Sequence, residues 1–265
     1  MRCAYSVAKT MLPGAAPCGP ASFAFVRGEE LWERNAAWWQ RSFTEGADPE
    51  YEEQILPLVD EHLRGARRVL DVGCGEGQVA RRITRLGATV VGVDPSPSQI
   101  IEARARGGGP SYVRARAEQL PCGDRSFDTV VVCLALEHVD PFEPAIAEIA
   151  RVLEPGGRFY FFLGHPLLQA PGSCWVDDQV FGEQYWRLGP YLPDDLCIDE
   201  VAPGVELPFA HRPLGRYVHV MGEVGLLVED MVEPPPSSDM LEANSGFANA
   251  ATIPRLLLLC ARRVD

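Results

Sequence analysis

Residues 68–83 read RVLDVGCGEGQVARRI, and this stretch decides the fold of the chain. Residues 69–72, VLDV, are apolar except for Asp71 and do not alternate, which predicts a central parallel strand. From residue 79 onward the apolar positions recur at helical spacing. Three glycines at alternate positions separate the two elements. Because glycines remove side chains, a ligand can approach the backbone amides and the helix start closely. The stretch therefore predicts a strand, a ligand-binding turn and a helix.

The same strand-helix alternation continues along the chain. TVVGVD, SYVRA, FDTVVVCLAL and RFYFFLG read as further strands with helical patterns between them, and LLVEDMVEP and RLLLLCARR read as two closing strands. Alternation of this kind implies right-handed crossovers and an open, doubly wound sheet. The sequence therefore predicts an α/β fold with a seven-stranded, mostly parallel sheet of the Rossmann-like type.

The regions outside this alternation define the expected domain organisation. Residues 1–27 predict a mobile N-terminal tail, and residues 28–64 predict an N-terminal helical cap. The main domain is expected at 65–265. Within it, residues 165–213 are rich in Pro, Gly, Asp, Trp and Tyr without a sustained period. A long aperiodic segment inside a compact domain is usually functional, so it predicts a lid.

Composition excludes several classes of function. The chain has 265 residues, 46% hydrophobic composition and a formal net charge of -13, which argues against a nucleic-acid partner. No apolar run reaches the roughly 18 residues of a membrane span. The eight cysteines form neither a CxxC pair nor a cluster at zinc spacing. We therefore expect no membrane or metal site, and reduced thiols in a cytoplasmic protein.

The spacing of the glycines and of one acid indicates a nucleoside ligand. A dinucleotide fingerprint requires G-x-G-x-x-G, but Gln78 stands where the last glycine belongs, which disfavours a nicotinamide-dependent oxidoreductase. Asp94 ends the next predicted strand, about twenty residues after the glycines, where an acid can accept hydrogen bonds from both ribose hydroxyls.

The motifs LDVGCGEG, GVDPS, AEQLPCGDRSFDTVVVCLALEHV and EIARVLEPGGRFYFF occur in this order over roughly residues 65–164. Together they resemble the motifs of class I S-adenosylmethionine-dependent methyltransferases, in the small-molecule branch called methyltransferase type 11. This resemblance implies S-adenosyl-L-methionine as the cofactor and methyl transfer to a small-molecule acceptor. The alternative is a protein of this fold that binds the cofactor but has a non-methylating or regulatory role.

The resemblance also assigns residues to the cofactor. The methionine half falls to Asp71, Gly73 and Gly75, the ribose to Asp94, the adenine to Ala117 and Glu118, and the sulfonium end to Cys133 and Leu134, with Cys74 and Pro95 also among the cofactor-binding residues. Arg116 stands where the family commonly has an Asp before the Ala-Glu pair. The usual acidic contact to the adenine amino group is therefore missing from that position.

Histidine is the natural base near neutral pH for an acceptor that must lose a proton. His165 directly follows the fifth predicted strand, and His211 ends the aperiodic segment. Both are expected to face the acceptor. His138 follows the fourth strand and either enters a helix or points into the site. Trp38 and Trp39 predict helix packing, and one of them shields the methyl donor if that helix covers the cleft.

Overall fold

The computed structural model describes residues 28–178, 180, 181, 183–236, 241 and 251–264. The predicted tail at 1–27 lies outside these residues. Within the described ranges, no helix has the length and apolar character needed to cross a bilayer.

Eleven strands are present in the described residues. They are β1 (Arg68–Val72), β2 (Thr89–Asp94), β3 (Ser111–Arg114), β4 (Phe127–Cys133), β5 (Leu153–Gly164), β6 (Cys174–Asp178), β7 (Glu183–Arg187), β8 (Asp195–Ala202), β9 (Val205–His211), β10 (Leu226–Val232) and β11 (Leu256–Arg263). Seven of them form one sheet in the order β10-β11-β5-β4-β1-β2-β3. Strands β1 to β5 pair in parallel, whereas β11 is antiparallel to both β5 and β10. The prediction of a seven-stranded, mostly parallel sheet is confirmed.

The helices of the described residues either precede β1 or lie between strands. They are α1 (Gly28–Phe43), α2 (Leu56–His62), α3 (Gln78–Arg85), α4 (Pro97–Arg106), α5 (Glu143–Val152), α6 (Pro166–Gln169) and α7 (Leu214–Glu223), with a π-helical turn at Tyr51–Ile55 and a 3₁₀ turn at Leu136–His138. Since strand order reverses between β1 and β4, the carboxyl ends of these two strands border the crevice where ligands bind in such sheets.

Short polar side chains cap the start of α4 and of the helical segment that leads into the π-helical turn. The Ser96 hydroxyl accepts a hydrogen bond from the amide of Gln99 at 3.2 Å, and Pro97 occupies the first helical position. Asp48 similarly accepts from the amides of Glu50 and Tyr51. Both starts agree with the preference for short polar caps and an early proline.

The start of α5 differs from the sequence pattern, which favours Asp140 as its cap because Pro141 follows. In the structure Phe142 is the N-cap residue and provides no side-chain cap. The Asp140 carboxylate instead pairs with Arg212 at 2.9 Å. A long-range ion pair has therefore replaced a local cap.

The core fills both faces of the large sheet. Leu70, Val130 and Phe161 belong to one buried cluster, whereas their chain neighbours, such as Val131 and Phe162, belong to the other. Burial on both faces explains why these strands read as apolar runs rather than as alternating patterns.

The segment expected to be aperiodic contains regular structure. Strands β6 and β7 form one antiparallel hairpin, and β8 and β9 form another. The second hairpin buries Leu207 and Phe209 against Trp32 and Trp38 of α1. Its strands were missed because the inner strand, β9, is buried at nearly every position and does not alternate. Whether the segment acts as a lid stays a prediction.

Candidate functional site

One cavity lies at the carboxyl ends of β1, β2 and β4. Its lining includes every predicted cofactor residue, namely Asp71, Gly73, Cys74, Gly75, Asp94, Pro95, Ala117, Glu118, Cys133 and Leu134. The chain brings these residues together from four separate segments, namely the ends of β1, β2 and β4 with the turns that follow them, and the loop after β3. That they contact a cofactor stays a prediction, which the geometry of the lining supports.

The glycine turn after β1 forms the floor of the cavity. Gly73 donates a hydrogen bond to the carbonyl of Val93 at 2.8 Å, and a Cβ at this position would collide with the Cβ of Ala135. Gly75 has φ +53°, and a Cβ there would meet only Trp39 Nε1, at 3.9 Å. Gly73 is therefore required by packing, whereas Gly75 leaves its space open to the cavity.

Asp94 ties the end of β2 to this turn. One carboxylate oxygen accepts from the amide of Gly75 and the other accepts from the amide of Ser96, both at 2.9 Å. Burial raises the pKa of Asp94 to about 6, although the two amide hydrogen bonds oppose the rise. Each carboxylate oxygen can accept more than one hydrogen bond. Asp94 therefore keeps acceptor capacity for ribose hydroxyls while holding the turn.

Asp71 provides a buried acid beside Asp94. Its Oδ2 atom is buried and has no hydrogen-bond partner among the described residues. Burial, together with the nearby charge of Asp94, raises the pKa of Asp71 to about 7. A buried acceptor without a partner is unfavourable. A ligand with a positively charged group, such as the ammonium or sulfonium of S-adenosylmethionine, fits this position.

Helix α1 closes the cavity on the side of β2. Glu33 accepts hydrogen bonds from the hydroxyl groups of Ser96 and Ser98, and these contacts fix α1 to the loop after β2. Near the N-terminus of α1, Glu29 forms an ion pair with Arg116 at 2.8 Å. The arginine at position 116, where the family commonly has an Asp, is thus explained locally, because its side chain bridges Glu29 and Glu118.

Neutral side chains line the end of the cavity near β4. The thiol of Cys133 lies 3.9 Å from the hydroxyl of Tyr51, and burial raises the pKa of both groups. Leu134 adopts φ +50° and donates its amide to the carbonyl of Phe162 at 2.9 Å. Cys133 therefore serves as a neutral wall and has no features of an activated nucleophile.

His138 is the one predicted catalytic histidine that lines this cavity in the described part of the chain. Its Nδ1 atom donates a hydrogen bond to the carbonyl of Pro208 at 2.6 Å, so the basic lone pair is on Nε2. Burial lowers the pKa of His138 to about 4. At neutral pH the ring is therefore uncharged, and the same burial makes it a weaker base than an exposed histidine.

The other two predicted histidines lie elsewhere. His165 caps α6: its Nδ1 accepts from the amide of Leu167 at 3.2 Å, and its Nε2 donates to Glu233 at 2.8 Å. His211 donates to the carbonyl of Tyr191 at 2.8 Å. Neither belongs to the described lining of the cavity. Their catalytic role stays a prediction, and their contacts fit positions that stabilise the insertion.

Glu137 is a second buried acid at the same edge. One of its oxygens accepts from the amide of Gly164 at 3.2 Å, while Oε2 is buried and lacks a partner within the described ranges. Burial raises the pKa of Glu137 to about 7. It lies next to His138 but outside the cavity lining.

Sequence reasoning did not identify Trp32 and Tyr51, both of which line the cavity. Of the tryptophan pair at 38 and 39, only Trp39 lines it. A signal for these positions was available, because Trp32 and Trp39 are seven residues apart and therefore share one face of α1.

Comparison with known proteins agrees with this architecture. Residues 70–161 match the methyltransferase domain family. A ubiquinone biosynthesis O-methyltransferase of Agrobacterium fabrum is 38% identical over 186 residues, which cover 66% of this chain and 72% of that protein. The solved structure of an S-adenosylmethionine-dependent methyltransferase from Mesorhizobium loti has a TM-score of 0.69 and 31% identity, and the match covers 78% of this chain and 96% of that one.

An uncharacterized methyltransferase of Mycobacterium bovis is 42% identical over 110 residues, and the match spans 42% of its length. The fold and these similarities define a Rossmann-like methyltransferase. The chain belongs to the S-adenosylmethionine-dependent methyltransferases.

Proposed function

We propose that this protein transfers the methyl group of S-adenosyl-L-methionine to a small-molecule acceptor. The observation that carries the proposal is the pair Asp71 and Asp94, two buried acids on the floor of one cavity beside the open position of Gly75. This combination fits a nucleoside that also carries positive charge. A ligand without positive charge would leave the buried oxygen of Asp71 without a partner, which is unfavourable.

Different residues bind the ribose, the methionine part and the adenine of the cofactor. Asp94 holds the ribose hydroxyls, Asp71 and the turn at Gly75 hold the charged methionine part, and Ala117 and Glu118 border the adenine. When bound, S-adenosylmethionine supplies an activated methyl group on a sulfonium. The protein then has to align the acceptor and exclude water, and alignment alone contributes up to ~7–11 kcal/mol in favourable cases.

The acceptor side of the cavity lies near β4. Trp39 and Tyr51 cover this region with apolar surface and keep water out. His138 is placed to take a proton at Nε2 from an acceptor hydroxyl or amine, and such base assistance typically contributes ~10²–10⁴-fold. The O-methyltransferase from Agrobacterium fabrum supports a small-molecule acceptor by its similarity.

Calorimetry tests the cofactor assignment directly. We expect S-adenosylmethionine and S-adenosylhomocysteine to bind and NAD not to bind. Asp94→Ala removes the charged acceptor for the ribose and should weaken binding by ~1.5–3 kcal/mol. Asp124→Ala is the matched control, because Asp124 is exposed and pairs with Arg151 away from the cavity.

Mass spectrometry of S-adenosylhomocysteine formed with a broad acceptor panel tests the transfer itself. Unchanged affinity in a folded Asp94→Ala variant would refute the cofactor assignment. Tight cofactor binding without any product across the panel would instead favour the alternative, a cofactor-binding protein with a regulatory role.

A further inference from the structure

The indole N–H of Trp32 is a buried hydrogen-bond donor without an acceptor among the described residues. Trp32 lines the cavity, and its Nε1 atom has no hydrogen-bond partner among the residues that the structure describes. Buried tryptophan N–H groups usually have a partner, and a native protein rarely leaves such a group unsatisfied. The donor therefore requires an explanation outside the chain's own contacts.

Aromatic rings surround this donor. The Trp32 ring lies 5.4 Å from the Trp39 ring and 4.7 Å from the His138 ring, in edge-to-face geometry in both cases. Trp39 also lies 6.5 Å from Tyr51. These four side chains, the aromatic wall, all line the cavity. Edge-to-face partners with centroids 4.5–7 Å apart are the preferred surroundings of another aromatic ring.

The charge of the site opposes an anionic ligand. Among the described lining residues Arg116 is the one arginine, and it is engaged by Glu29 at 2.8 Å. Asp71 and Asp94 lie on the floor, and the carboxylates of Glu76 and Glu118 also line the cavity. An acceptor carboxylate or phosphate, which unlike the methionine carboxylate of the cofactor brings no ammonium group of its own, would therefore lie among acids without a cation to pair with, and burying an unpaired charge is costly.

We propose that the methyl acceptor is an uncharged aromatic molecule bound against the aromatic wall, with an oxygen that accepts a hydrogen bond from Trp32 Nε1. The Trp32 ring rotates slightly on binding, because its Nε1 atom is otherwise buried. It rests on the proposed function, because the aromatic wall borders the same cavity as the cofactor residues. Acceptors that carry a carboxylate or phosphate are excluded.

Indole N–H signals of ¹⁵N-labelled protein provide a direct test that does not depend on turnover. The chain has five tryptophans, and the signal of Trp32 is identified by its loss in Trp32→Phe. The probes are catechol beside its carboxylate, protocatechuate, and naphthol beside hydroxynaphthoate, added to protein saturated with S-adenosylhomocysteine. We expect the uncharged probes to shift the Trp32 signal and to bind ~10-fold or more tightly than their carboxylates, equivalent to ~1.4 kcal/mol.

Trp32→Phe keeps an aromatic ring but removes the donor. It should weaken the uncharged probes by ~10-fold, which again corresponds to ~1.4 kcal/mol, and leave S-adenosylmethionine affinity unchanged. Trp38→Phe is the control, since Trp38 packs on the β8–β9 hairpin and should leave both affinities unchanged. Carboxylates that bind equally well, or a Trp32 signal that no uncharged probe shifts, would overturn this inference. If the wild-type protein does not bind S-adenosylmethionine, the proposed function is wrong instead.

Discussion

Arg212 donates a hydrogen bond of 2.9 Å to the carboxylate of Asp140. The same guanidinium donates to the carbonyl of Val139 at 2.7 Å, and its side chain is only 2% exposed. Since Arg212 follows β9, these bonds connect the insertion to the turn that carries His138. The insertion therefore helps to hold the acceptor edge of the sheet in place.

Replacement of Arg212 by Gln should lower the free energy of unfolding. The substitution leaves the half-buried Asp140 carboxylate and Val139 carbonyl without their donor, and a fully buried unsatisfied group costs about 1–3 kcal/mol. We expect a loss of about 2–4 kcal/mol, measured by urea denaturation. The control is Arg262→Gln, whose exposed pair with Glu229 is worth less than about 1 kcal/mol. Equal losses in the two variants would show that the Arg212 contacts contribute no more to the free energy of unfolding than an exposed ion pair does.

Cofactor affinity should rise with pH. Burial raises the pKa of Asp71 to about 7 and the pKa of Asp94 to about 6, so both acids are largely protonated in mildly acidic solution. A cationic ligand requires their ionised forms, and each unit of pH below such a pKa costs up to ~10-fold in affinity. Calorimetry from about pH 5 to 8 should show increasing affinity and proton release on binding. A flat profile, or one as steep in Asp94→Asn as in the wild type, would contradict this reading.

Gly75→Ala should weaken the cofactor more than it weakens the fold. Gly75 has φ +53°, and its missing side chain leaves space at the cavity floor. The left-handed conformation costs an alanine roughly 1–2 kcal/mol. Gly156→Ala provides the matched control, since Gly156 has φ +77° and open surroundings away from the cavity. Both variants should lose similar stability by thermal unfolding, but only Gly75→Ala should lose S-adenosylmethionine affinity. Similar affinities in the two would mean that position 75 does not face the ligand.

Sequence reasoning identified residues of the cavity lining where these lie at or just after the end of a strand. The glycine turn and Asp94 follow directly from a strand, a turn and a second strand, and each element is predictable from its own residues. Parallel β1 and β2 then place these residues together without further information. The lining of the cavity floor was therefore predictable from the sequence, whereas its contact with a cofactor stays a prediction.

The acceptor side depends on contacts between distant parts of the chain. Trp32 reaches His138 only because α1 folds back over the sheet, and the Nδ1 proton of His138 is directed by Pro208 in the second hairpin. Such pairings join residues that are far apart in the sequence, so no local spacing predicts them. For the same reason His165 was predicted to be catalytic from its place after β5, although its ring nitrogens contact Leu167 and Glu233.

Glu137→Gln should stabilise the protein more at high pH than at low pH. Burial raises the pKa of Glu137 from 4.5 to about 7. The stability this group contributes is therefore fully present below about pH 4.5 and is lost as the pH rises through about 7. An amide does not ionise, so the variant should gain about 2–4 kcal/mol relative to the wild type between pH 5 and pH 8.

Urea denaturation at the two pH values measures this difference. Glu223→Gln is the control for loss of a charge, because Glu223 is 62% exposed on the surface of α7. It should show no comparable change with pH. A Glu137→Gln variant whose relative stability is the same at both pH values would show that Glu137 ionises normally in the folded protein.

Three histidine variants decide which side chain serves the acceptor. With S-adenosylmethionine and a productive acceptor, His138→Asn should lower methyl transfer by ~10²-fold or more if the ring acts as base, while cofactor affinity by calorimetry stays unchanged. His138 lines the cavity and, because burial lowers its pKa to about 4, it is unprotonated throughout the neutral range. His165→Asn and His211→Asn remove contacts outside the described lining and should affect stability more than turnover. Full activity in His138→Asn, together with a ~10²-fold loss in either of the others without loss of folding, would assign the base to that residue. Full activity in all three would mean that the acceptor is methylated without a histidine base.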